Sequence, residues 1–151
     1  MAASPPTTKC VPCEGLDDSH KLSLDQVRER LAGASFPLWT CMIKEEEEEG
    51  DASVPRLSRS FVARSFQAAL DAINAMGIFA EQEGHHPAFD LTSYRNVQID
   101  LYTHDLAGIT ENDFALASLL DTVPIDYSPK WLKAHPEAAA SSKKKPKTEA
   151  S

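Results

Sequence analysis

Apolar residues recur at helical spacing in three stretches of the chain and in strand-like runs between them. The first helical stretch opens at Ser23-Leu24-Asp25-Gln26, a capping box in which the Ser oxygen takes an N3 amide and the Gln reaches back. Leu24, Val27 and Leu31 then make one apolar stripe, and Gly33 ends it. Leu38–Ile43 and Leu57–Val62 read as strands that pair as a hairpin. Between them Glu45–Glu49 is a run of like charges, hence a solvated loop. The second helix is expected over about Ser65–Glu83. Phe66, Leu70, Ile73 and Phe79 are its core side, Ala69, Ala72 and Ala80 fill between, and Gly84 stops it at C′. Asn96–His104 reads as a strand in which Val97, Ile99 and Leu101 alternate with Gln98, Asp100, Tyr102 and His104, placing His104 on the polar face. Thr110 is the expected N-cap of a third helix, with Phe114, Leu116, Ala117, Leu119 and Leu120 buried.

This order of helix, two strands, helix, strand and helix predicts an α+β fold, an antiparallel sheet covered by helices on one face. Residues 1–20 are expected to be a flexible lead-in and 21–133 the folded domain. The Ala/Ser/Lys segment 134–151 is expected to be disordered, because it lacks large apolar side chains to offset its ordering entropy. The chain has 151 residues and reads as one domain. A net charge of −8 argues against direct nucleic-acid binding. No apolar run is long enough to span a membrane, and the N-terminus lacks the pattern of a secretory signal. The three Cys are an odd count without framework spacing, which suits a reducing compartment and a cytoplasmic location.

Candidate chemistry concentrates in Glu81-Gln82-Glu83-Gly84-His85-His86-Pro87 and downstream. Three of the five His fall at His85, His86 and His104, with carboxylates at Glu81 and Asp113. Imidazole is the side chain that exchanges protons near neutral pH. Pro87 holds His86 extended, and adjacent extended residues point opposite ways, so the two His should differ in role. Three readings fit the residues: surface and capping His, a three-His metal site, and metal-free general acid–base catalysis. Adjacent His rarely converge on one ion, so no metal and no cofactor are expected. Cys10-Val11-Pro12-Cys13 has CxxC spacing but lacks the flanking elements of a redox or zinc motif. Lys143–Lys147 reads as a solubilising end or a nuclear address.

The spacing of Glu81, His85-His86-Pro87, Tyr94, His104 and Asp113, with the segment Thr103–Phe114, resembles the pterin-4a-carbinolamine dehydratase family over about Leu22–Val123. The resemblance implies a four-stranded antiparallel sheet in the order α-β-β-α-β-β-α, with a fourth strand near Ala88–Thr92. It implies dehydration of 4a-hydroxytetrahydrobiopterin to quinonoid dihydropterin, recycling the pterin of aromatic amino-acid hydroxylases. His85, His86 and His104 would be catalytic, with Asp113 orienting an imidazole. Glu81, Pro87, Thr103 and Tyr94 would bind substrate. Family members assemble as homodimers or homotetramers. Gly84 departs from the acidic residue that many animal members carry there. The Cys-containing lead-in and the Tyr127–Trp131 segment look more like plant or protist members. The resemblance also implies the alternative of a non-catalytic partner, either a transcription-factor dimerisation cofactor or a Rubisco-assembly chaperone.

Overall fold

The computed structural model describes residues 18–33, 35–44, 54–103 and 106–142. After a short 3-10 turn at Asp18–His20 come α1 (Leu24–Ala32), β1 (Thr40–Lys44), β2 (Val54–Val62), α2 (Phe66–Glu83), β3 (Ala88–Thr92), β4 (Asn96–Leu101), α3 (Glu111–Leu120) and α4 (Pro129–Ala134). A second 3-10 helix, Pro136–Ser141, follows. The four strands form one antiparallel sheet in the order β1-β2-β4-β3. This is the α+β architecture with the expected fourth strand.

Local chemistry sets the boundaries. Ser23 N–H donates to Gln26 Oε1 at 2.9 Å and Gln26 N–H to Ser23 Oγ at 3.2 Å, completing the capping box of α1. Ser65 caps α2 by accepting from Ala68 N–H. At the other end Gly84 adopts φ 65°, ψ 25°. Gly84 N–H then reaches Glu81 O and His85 N–H reaches Ala80 O, the paired bonds of a Schellman stop. The left-handed geometry is why Gly serves there.

Opposite Leu57 on β2 lies Leu101 on β4, and opposite Phe61 lies Val97, so one sheet face is apolar apart from Arg59. These side chains join Val27, Trp39, Met76, Phe114, Leu116 and Leu120 in one buried core. Phe36 and Phe114 meet edge to face at 5.1 Å.

Several expectations change. In α2 the buried row is Ala69, Ala72, Met76 and Ala80, whereas Leu70, Ile73 and Phe79 are half-buried and Phe66 is 50% exposed. Both rows have helical spacing. The Ala row wins because small side chains let the helix lie close to the sheet. On β4, Asp100 is buried although it stands on the polar row, as are Arg56 and Ser58 on β2. Gln98 donates to both Asp100 oxygens at 3.2 and 3.4 Å, and Arg56 lies over the Tyr102 ring at 4.7 Å, so polar groups cover one another there.

The segment expected to be disordered from residue 134 is docked as far as Ser142. Ala138 and Ser141 are buried, and Ser142 pairs with Ile125. Its anchor is polar rather than aliphatic, which composition does not reveal. Arg59 lies in the core, donating to Asp121 Oδ1 at 3.0 Å and to the Tyr127 hydroxyl at 2.6 Å. Tyr127 Oη lies 2.6 Å from Ser141 Oγ, and Trp39 Nε1–H adds a 2.9 Å bond to Asp121. The sequence carries a sign of this, since Arg59 has the strand parity of Leu57 and Phe61. The lead-in 1–17 with Cys10 and Cys13, the Glu45–Glu49 run and the Lys143–Lys147 run lie outside the described residues.

Candidate active site

Three elements bring the site together. The Schellman stop of α2 turns the chain so that His85 drops into the protein, 6% exposed, while His86 faces outward. From β4 the chain runs on to Thr103, which pairs with Gly108 across a short loop. The loop returns to Thr110 at the start of α3. Asp113 is the N3 residue of that helix, and its Oδ2 accepts the Thr110 backbone N–H at 2.9 Å. This is a capping box with Asp in the place of Glu.

Asp113 is fully buried, and its other oxygen, Oδ1, lies 2.5 Å from His85 Nε2. An ionised carboxylate only accepts, so His85 Nε2 carries the proton of this bond. Asp113 Oδ2 also accepts from Thr103 Oγ at 3.0 Å. With Thr103 donating to Asp113, the 2.9 Å contact between the hydroxyls has Thr110 donating to Thr103. Thr110 Oγ in turn accepts Asn112 N–H at 3.2 Å. One carboxylate thus organises an imidazole, a hydroxyl relay and a helix start.

His86 makes the second imidazole–carboxylate pair. Its Nε2 lies 3.1 Å from Glu81 Oε2, with side chains 63% and 83% exposed. Glu81 is in the last turn of α2, so pair and helix end move together. Pro87 follows and leads into β3.

Of the eight sequence-predicted site residues, the fold gathers His85, Thr103 and Asp113 in direct contact, with His86, Glu81 and Pro87 beside them. His104 lies outside the described residues, as does Asp105. Tyr94 is at the tip of the β3–β4 hairpin, exposed, one strand length from Pro87. That is roughly 15 Å at strand rise, so the hairpin holds Tyr94 away from His85 within the chain. Sequence reasoning missed Thr110 as a site residue. The Thr110-Glu111-Asn112-Asp113 cap marks it, because the cap shares its carboxylate with His85.

Among the described residues, no group of three His, Cys, Asp or Glu side chains could hold a metal ion. Burial pushes the Cys41 thiol up, with Arg28 opposing, so it is not a ready nucleophile. No helix among the described residues is long and apolar enough to cross a membrane.

Comparison with known proteins gives the same frame. The model of the pterin 4 alpha carbinolamine dehydratase family matches residues 20–123. The chain belongs to that family. A pterin-4-alpha-carbinolamine dehydratase of Arabidopsis thaliana, named as mitochondrial, is 33% identical over 122 residues, covering 80% of this chain and 59% of the relative. A Chlorobaculum tepidum protein carrying the same family name is 37% identical over 109 residues, 72% of this chain and 87% of that one. Among solved structures, a transcriptional coactivator/pterin dehydratase of Brucella melitensis superposes with a TM-score of 0.55 at 24% identity, covering 68% of this chain and 96% of that one. The last likeness speaks to fold. The names of the relatives place the chain in the dehydratase class.

Proposed function

We propose that this dehydratase removes water from 4a-hydroxytetrahydrobiopterin, giving quinonoid dihydropterin and so recycling a pterin cofactor. The observation that carries the reading is the buried His85 Nε2–Asp113 Oδ1 bond, held by the Thr103 and Thr110 donors on the other oxygen. The reaction needs two proton transfers. One group gives a proton to the leaving 4a-hydroxyl, and another takes one from a pterin ring nitrogen. Asp113 fixes the His85 tautomer and the orientation of its ring, which suits His85 to a proton transfer. His86 with Glu81, at the open side, and His104 supply the partner group and substrate contacts. Each positioned acid or base contributes about 10²–10⁴-fold.

No metal or other cofactor enters this scheme. The proposed location is the cytoplasm, and the proposed assembly is a homodimer or homotetramer. Edge strands β1 and β3 and the exposed Phe66 and Ile78 of α2 support self-association. The same exposed side chains, on two sides of α2, favour the second reading, a coactivator role such as the Brucella protein's name gives it. The deciding experiment is a carbinolamine dehydration assay on the purified protein before and after chelation. Turnover that survives chelation supports the reading. Absence of turnover, or loss that zinc restores, overturns it.

A further inference from the structure

Lys21 and Leu22, just ahead of the Ser23 cap of α1, lie across the backbone that pairs with Thr103. Lys21 is exposed as a whole, yet its aliphatic stem covers Gly108. A Cβ on Gly108 would overlap Lys21 Cδ and come within 2.9 Å of Cγ. Gly108 does not adopt a left-handed conformation, so a Gly stands here for room rather than for backbone freedom. Beside that contact, Leu22 N–H donates to Ile109 O at 2.8 Å. Ser23 then opens α1 with its capping box, which ties both residues to a regular helix.

What they hold down is the frame of the site. Thr103 N–H donates to Gly108 O at 2.7 Å and Gly108 N–H returns to Thr103 O at 3.4 Å, so the position of Gly108 sets that of Thr103. Thr103 is buried and gives its hydroxyl proton to Asp113 Oδ2. Ala107, just before Gly108, has φ 48°, in the left-handed region that a side chain disfavours. Such a conformation persists only where the surroundings impose it, and the exposed methyl of Ala107 imposes nothing. The restraint comes from its neighbours: Leu106 and Ile109 are buried, and Gly108 lies under Lys21. On the far side of Thr110, α1 is fastened again. Arg30 Nη1 bonds Glu111 Oε1 at 2.5 Å, and its guanidinium stands over the Phe114 ring at 4.5 Å. Helix α1 and the residues that lead into it thus grip the chain before and after the cap that presents Asp113 to His85.

We propose that Lys21 is a positioning residue of the dehydration, acting through its methylene stem. Packed on Gly108, the stem holds Thr103 against Asp113 and so keeps the carboxylate aimed at His85. This role rests on the reading of His85 and Asp113 as the proton-transfer pair. The ammonium group is dispensable in it, since the atoms that meet Gly108 are Cγ, Cδ and Cε. Displacing a group that orients a catalytic imidazole slows the chemical step, by up to about 10²-fold for a shift of about 1 Å.

The test uses the full chain and compares three variants. Lys21→Ala removes the stem, Lys21→Met keeps its length without the charge, and Gly108→Ala displaces it. Steady-state dehydration is read together with the NMR signal of the His85 Nε2 proton, which reports the bond to Asp113 whether or not the protein turns over. Lys21→Ala and Gly108→Ala should lower kcat about tenfold with KM unchanged, and shift the His85 signal. Lys21→Met should restore both properties. The Lys21→Ala/Gly108→Ala double variant should lose no more than Lys21→Ala, because the added Cβ then meets no stem. Lys21 is exposed, so urea unfolding of Lys21→Ala should match the parent, and that variant decides the matter even where Gly108→Ala fails to fold. Unchanged kcat or an unmoved His85 signal in Lys21→Ala overturns the proposal. So does a Lys21→Met protein as impaired as Lys21→Ala, which would make the ammonium the acting group. A parent chain without turnover, whose His85 signal still follows this series, would defeat the dehydratase reading and keep the positioning contact.

Discussion

His85 and His86 are neighbours in the chain, and each meets a carboxylate, yet the two pairs are physically unlike. His85–Asp113 is sealed, with side chains 6% and 0% exposed, whereas His86–Glu81 is 63% and 83% exposed. Asp113 belongs to another helix and takes two further hydrogen bonds. Glu81 belongs to the same helix end as His86, and no second partner holds the pair among the contacts described. A sealed pair fixes one tautomer and one orientation. An open pair is screened by water and able to rearrange around a ligand. Adjacency here is a means of division: one turn, stopped by Gly84, supplies both a buried, fixed imidazole and an exposed, adaptable one.

The largest expected effect breaks the sealed side. His85→Ala should lower turnover by about 10²–10⁴-fold, measured in the dehydration assay with circular dichroism to check folding. His86→Ala should lower it less, because Glu81 and water can stand in at an open position. Losses for His85, His86 and His104 should combine non-additively, as groups serving one transition state do.

Next comes stability around the polar anchor of the C-terminal segment. Arg59→Ala should cost about 3 kcal/mol by leaving the half-buried Asp121 without its counter-charge, read by urea unfolding. Its pH dependence has a definite sign. Burial pushes the Asp121 carboxyl up, and Arg59 and then Trp39 pull it partly back. The folded state therefore keeps that proton where the unfolded chain has lost it. This stabilisation is fully present below the ordinary carboxylate range and is lost as pH rises through the raised folded value. Without Arg59 the carboxyl rises further, so the decline should extend to higher pH in the variant.

Removing residues 136–151 should cost about 2 kcal/mol, from the buried Ala138 and the Ser141–Tyr127 hydrogen bond. Gly84→Ala should cost about 1–2 kcal/mol, because φ 65° disfavours a Cβ. The smallest effect belongs to the open pair. A His86–Glu81 double-mutant cycle on stability should couple by less than about 1 kcal/mol.

Caps and alternation made most of the fold legible in the sequence. Ser23, Ser65, Gly84 and Thr110 punctuate the helices where expected, and Val97, Ile99 and Leu101 form the buried row of β4. The face of α2 was not legible, since periodicity ranks rows by size while close packing on a sheet rewards small ones. Neither was docking of the last segment, because Arg59, Tyr127 and Ser141 join it through hydrogen bonds that composition cannot register. In the site, the motif singled out both His85 and Asp113 but did not say which imidazole the carboxylate would meet; the fold joins these two. Their contact became explicable only through the Thr110 cap, which brings Asp113 round to face the end of α2. Tyr94 belonged to the motif by spacing but lies on the hairpin tip, where β3 carries it away.

The central claim is that His85 and Asp113 act as one proton-transfer unit. Its most direct test is turnover of His85→Ala, Asp113→Ala and the double variant, each shown folded by circular dichroism. The account predicts that the double variant loses little more than His85→Ala alone, because the carboxylate acts through the imidazole. Losses that multiply, or a folded His85→Ala protein with undiminished turnover, would contradict it.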